Sequence, residues 1–151
     1  MISLYEYFAA TDDATAAAAI QCAAASLGLP AIGMVTSINP ALHMAKLESL
    51  LRRVDYDRVL DDPRWCAPLI SITPGNGPRV VTITESLRDC LAVADSSSLA
   101  EAVTLWTHTR WQDAGKFAGR EARLADFLDE LAGLAREAAS STQQLYCWMS
   151  M

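Results

Sequence analysis

The chain has 151 residues, with 12 Lys+Arg against 18 Asp+Glu, a formal net charge of −6, 52% hydrophobic residues and 20% charged ones. That length predicts a single domain over 1–151, with a core large enough to fold without disulfides or metal. The apolar content excludes a disordered chain. The acidic balance argues against a phosphate-binding surface, so no nucleic-acid partner is expected.

Met1 to Tyr7 lack the basic start, apolar stretch and small-residue cleavage site of a signal peptide, which predicts a cytoplasmic protein. Between Asp13 and Lys46 there is no Asp, Glu, Lys or Arg. Gly28, Pro30, Gly33 and Asn39-Pro40 interrupt this stretch, and its apolar residues are largely Ala. It is therefore expected inside the protein or at a subunit contact, not in a membrane.

In chain order, the aromatic run Leu4, Tyr5, Tyr7, Phe8 predicts a strand over 3–9. Thr11 or Asp12 caps a helix to about Leu27, with Ala16, Ile20, Ala23, Ala24 and Leu27 on one stripe and Gly28 as the stop. Its other faces are also uncharged, which predicts cover on more than one side. Ala31 to Ser37 reads as a second strand. Asn39 and Pro40 start a helix to about Arg53, with Leu47, Leu50, Leu51 and Val54 inward and the Glu48/Arg52 pair outside.

Residues 55–64 form an acidic loop or short helical turn, ended by Asp62-Pro63. Leu69–Thr73 and Arg79–Ile83 alternate around Pro74-Gly75-Asn76-Gly77-Pro78, a hairpin signal. Thr84 caps a helix to about Val93, and Ser98 with Glu101 forms a capping box for a helix to about Asp113. Past Gly115 and Gly119, residues 119–139 carry the clearest stripe, Leu124, Phe127, Leu128, Leu131, Ala135 and Ala138. Leu145 to Met149 forms a last strand, expected beside the first. The order predicts an α+β fold: a small mixed sheet of about five strands, covered mainly on one face by about five helices.

Few residues carry chemistry. His43 points toward the apolar face of its helix, where a histidine bonded to backbone is expected. Glu101 and His108 share one flank of the helix from Ser98, near Trp111, a set that could bind a polar ligand or serve as a general base. The opposite stripe, Leu99, Ala102, Val103 and Trp106, is the core face. The four cysteines, Cys22, Cys66, Cys90 and Cys147, have no metal-ligand spacing and are expected as free thiols. No phosphate cradle, zinc-protease, calcium-loop or serine-elbow motif occurs, so neither cofactor nor metal nor a catalytic set is predicted.

Asp55, Asp57, Asp61 and Asp62, with Tyr56 and Trp65 close by, form the best interaction candidate: charge steers a basic partner and the rings supply buried area. Arg53, Arg58 and Arg64 interrupt the run and partly neutralise it.

Tyr7-Phe8-Ala9, Leu42-His43, the helix over Leu124 to Ala139 and the final strand Leu145 to Met149 together resemble the YfbM-like bacterial family. That resemblance implies a short α+β domain and brings no established activity or catalytic residues. The leading expectation is a non-enzymatic protein–protein interaction module, immunity- or antitoxin-like, with an acidic surface. The alternatives are a small enzyme or ligand-binding domain using Glu101, His108 and Trp111, and a homodimer built on residues 14–45 or a strand edge.

Overall fold

Strand β1 (Leu4–Ala10) sends Tyr5, Tyr7 and Ala9 to one side and Glu6, Phe8 and Ala10 to the other, and all six are buried. A strand buried on both faces needs a layer against each. The computed structural model describes residues 4–21, 24–33, 35, 38–71, 78–107 and 121–150. In it β4 (Gln144–Ser150) runs antiparallel to β1, from Leu4↔Ser150 to Ala10↔Gln144. Strand β3 (Arg79–Thr82) pairs with the other edge of β4, and β2 (Pro68–Ser71) pairs with β3, giving the order β1-β4-β3-β2.

On the first face Tyr5, Tyr7, Val81, Leu145 and Cys147 meet the main helical layer. That layer comprises α2 (Ala45–Arg52), α4 (Glu85–Val93), α5 (Ser96–Thr107) and α6 (Glu121–Ser140). The stripe of α6 is buried along its length, with Phe127 set edge-on to Tyr7 at 5.4 Å. The Tyr7 hydroxyl donates to the Ile38 carbonyl at 2.6 Å, fixing the chain that leads into α2. That chain enters α2 through a π-helical turn, Pro40–Met44, capped by Asn39 as its sequence predicts.

On the second face Phe8, Val80 and Tyr146 meet Ala16, Ala19, Ile20 and Ala24, with Phe8 stacked on Tyr146 at 5.6 Å. Here the expected single helix is replaced by α1 (Asp13–Ala17) and two 3-10 turns, Ala18–Gln21 and Ala24–Leu27. The sheet itself supplies the reason. A continuous α-helix would bond the Ala24 N–H to the Ile20 carbonyl. Instead the Glu6 carboxylate accepts the Ala24 N–H at 2.7 Å, and the Trp148 indole donates to the Ile20 carbonyl at 3.0 Å. Gly28, at φ +75, ends the segment as expected. Among its described residues the segment has an uncovered side, since Ala14, Ala18 and Ser26 are exposed and Leu27 is 44% exposed.

Three other expectations are corrected. Among the described residues the sheet has four strands and every neighbouring pair is antiparallel, so it is not mixed there. Among its described residues the predicted second strand makes two isolated antiparallel bridges to β1, Phe8↔Ala31 and Tyr5↔Val35. One more residue separates these bridges on the outer segment than on β1, so the pairing shifts register between them. The capping box of Ser98 and Glu101 does not form: Asp95 accepts the Ser98 N–H at 2.8 Å, and α5 begins two residues earlier, at Ser96. Among the described residues there are six α-helices, the remaining one being α3 (Tyr56–Leu60). None of them is long and apolar enough to cross a membrane. The expected turn over 74–77, Cys22 and the end of α5 beyond Thr107 lie outside the described residues.

The uncovered side of the alanine segment makes a direct prediction. Ala19 is fully buried against the sheet and Ala18 faces solvent. Ala19→Leu is expected to destabilise by about 1–3 kcal/mol through overpacking, and Ala18→Leu to stay within about 0.5 kcal/mol of wild type. Urea unfolding of the two variants checks this.

Candidate functional site

Helix α2 ends on Arg53 in the left-handed region, at φ 56, an uncommon conformation for a residue other than glycine. Ser49 helps hold the turn, its hydroxyl donating to the Val54 carbonyl at 2.7 Å. The chain then forms α3, anchored by one buried side chain, Val59. Past α3, Asp62 accepts the Arg64 N–H at 2.8 Å, a local side-chain turn. The Thr82 hydroxyl donates to the Arg64 carbonyl, fastening the end of the loop to β3. Residues 55–65 are thus held at both ends.

Arg64 turns away from the acidic run. Its two terminal nitrogens donate to the two Asp13 oxygens at 2.9 and 3.0 Å, and the Tyr146 hydroxyl donates to the same carboxylate at 2.7 Å. The guanidinium carbon also lies 5.9 Å from the centre of the Tyr146 ring. The Arg64 bonds, then the Tyr146 bond, hold the Asp13 carboxyl below its usual pKa. Burial first, and the Asp13 bond second, push the Tyr146 hydroxyl up.

The other arginines near the run are also engaged elsewhere. Arg53 lies 3.8 Å from Glu101 on α5, and Arg52 pairs with Glu48 at 2.5 Å. The Glu48/Arg52 pair forms at the predicted spacing, but it is not an outside pair: the Glu48 side chain is 1% exposed. The Thr84 hydroxyl, which also caps α4 by accepting from the Leu87 N–H, donates to the second Glu48 oxygen. A buried carboxylate needs such partners. Of the arginines between Arg52 and Arg64, Arg58 is the one whose charge stays within the acidic run.

Asp55, Asp57 and Asp61 are exposed, and Tyr56 and Asp62 are half-buried. Trp65 is half-buried too, but its ring lines a cavity of about 10 Å³ with Pro40, Met44, Glu48 and Thr84. Between the end of α2, α3 and the start of α4 lies an open groove of about 520 Å³, lined by Arg52, Val54, Arg58, Asp61, Asp62, Pro63 and Ser86. Composition along the chain missed this groove because Arg52 and Ser86 reach it from separate helices.

On α5 the expected core stripe, Leu99, Ala102, Val103 and Trp106, is buried. Glu101 is exposed on the opposite flank, while His108 and Trp111 lie outside the described residues. His43 is buried beside Trp106, with its Nδ1 2.9 Å from the Asn39 nitrogen, the backbone-bonded histidine expected. Burial pushes the Cys66 thiol up to about 11 and raises Cys90 and Cys147 as well, which keeps all three protonated and weakly nucleophilic at neutral pH. Among the described residues no three His, Cys, Asp or Glu side chains converge as metal ligands.

Asp13 makes the loop's attachment pH-dependent. Because its folded pKa is lowered, the attachment contributes fully above the unfolded carboxyl's titration near pH 4 and is lost as pH falls through the lower folded value. The ion pair is half in water, with side-chain exposures of 31% for Arg64 and 49% for Asp13. Asp13→Asn is therefore expected to cost only about 0.2–1 kcal/mol at pH 7. The gap from wild type should narrow as pH falls below about 4, as read by urea unfolding across a pH series. Compared with protein-family models, curated proteins and solved structures, the chain has no match in any of the three.

Proposed function

We propose that this chain is a non-enzymatic binding module of the cytoplasm that presents Asp55, Asp57, Asp61 and Asp62 to a basic protein partner, as an immunity protein or antitoxin does. The observation that supports this reading is where the neighbouring arginines go. Arg64 is paired with Asp13, Arg53 approaches Glu101 and Arg52 is paired with Glu48, so the exposed Asp55, Asp57 and Asp61 and the half-buried Asp62 keep Arg58 as their local counter-charge. Exposed charge of one sign raises encounter rates and gives them a steep dependence on salt. The loop bearing it is already ordered by Val59, the Asp62 turn and the Thr82 bond, which reduces the ordering cost of association. Tyr56, half-buried beside the carboxylates, supplies apolar contact area.

Capture from native lysate, with wild type and with an Asp55/Asp57/Asp61/Asp62→Asn variant, tests the proposal. Wild type is expected to retain a basic protein that is released by added salt and is depleted roughly tenfold or more on the variant, about 1.4 kcal/mol or more of binding. Retention of the same proteins at the same level by both would show that the acidic face is not the docking surface.

A further inference from the structure

The groove beside the acidic loop carries charges of both signs on fixed supports. Arg52 is held from behind by Glu48, itself buried and bonded by the Thr84 hydroxyl. Asp62 is held by the Arg64 N–H at one oxygen. Arg58 and Asp61, both exposed, lie on α3 and just past it, and the half-buried Ser86 contributes from α4. One guanidinium and one carboxylate are therefore positioned before any ligand arrives, which lowers the entropy lost on binding.

This lining selects by exclusion. A simple anion attracted by Arg52 and Arg58 meets Asp61 and Asp62, and a simple cation attracted by the aspartates meets the two arginines. A ligand with both charges close together satisfies both sets. We infer that the groove is a binding site for a small zwitterion, an ammonium group and a carboxylate carried on one short backbone, as in a free amino acid or a short unblocked peptide. The carboxylate lies toward Arg52 and Arg58, where a guanidinium fork suits it, and the ammonium toward Asp61 and Asp62. About 520 Å³ accommodates such a molecule with room to spare. The inference goes beyond the acidic-face reading because it makes Arg52 and Arg58 contacts of a ligand, whereas that reading takes only the carboxylates as contacts; Arg52 keeps its bond to Glu48 in both.

Amide chemical shifts of the isotope-labelled protein, followed during titration, test it. The probes are glycine, lysine and glutamate as free zwitterions, triglycine as the short peptide, and methylammonium and acetate as single charges. At least one zwitterion is expected to give saturable shifts at Arg52, Arg58, Asp61 and Ser86 with a dissociation constant of about 1 mM or lower. Methylammonium and acetate should bind roughly tenfold more weakly or not at all. Comparing the free amino acids with triglycine shows which source fits better. Arg58→Gln combined with Asp61→Asn leaves the net charge unchanged and alters only exposed side chains. It should weaken zwitterion binding roughly tenfold while leaving the unfolding midpoint near that of wild type. No shifts up to about 10 mM of any zwitterion would overturn the inference. Equal binding of acetate or methylammonium would do so too, as would undiminished binding by the double variant.

Discussion

Strand β4 is paired on both edges and buried on both faces, and the rest of the structure depends on that double use. Its backbone ladders to β1 and β3 join the two ends of the chain to the middle. Leu145, Cys147 and Met149 enter the helical core, while Tyr146 and Trp148 serve the opposite layer. A one-residue slip in this register would exchange the two sets and set both layers against the wrong side chains. The register is also what carries order outward to the surface. Tyr146 bonds Asp13, Asp13 bonds Arg64, and Arg64 begins the return from the acidic loop to β2.

Elements whose determinants are local were legible in the sequence. The Asn39 and Thr84 caps, the stop at Gly28 and the stripe of α6 depend on residues within a few positions of one another, and all appear where the sequence puts them. That the last strand lies beside the first was expected from the aromatic run in each; the antiparallel sense of the pairing was not. The alanine segment is different. Its residues have the propensity for a continuous helix, yet Glu6 and Trp148 occupy the donor and the acceptor of one bond that such a helix requires. Neither competitor is near in sequence. No local pattern encodes the break.

The candidate site divides along the same line. The exposed run of carboxylates could be read directly, because solvated charge on a short loop needs no distant partner. Its effective charge could not be read, since that depends on where Arg53 and Arg64 end up, and both turn to residues on other elements. Glu48 shows the point most sharply. An i,i+4 pair on a helix looks like surface chemistry, and the pair does form, but Thr84 from α4 covers the carboxylate and encloses it. Trp65 was legible as an aromatic near the acids and illegible as a wall of the interior.

Burying Glu48 is not an efficient way to stabilise this fold. Removing a carboxylate from water costs several kcal/mol before its partners offset the loss, and an apolar pair of similar volume often does as well or better. What the buried group supplies is position. Glu48 holds the guanidinium of Arg52, a residue that lines the groove, and Thr84 bonds Glu48 while capping α4. The start of one helix, the end of another and the charged lining between them are thus set by a single carboxylate. An apolar replacement would leave the core intact and Arg52 free to move into solvent. The groove would then retain its charges, but Arg52 would no longer be held by Glu48, and any ligand drawn to it would have to order that side chain on binding.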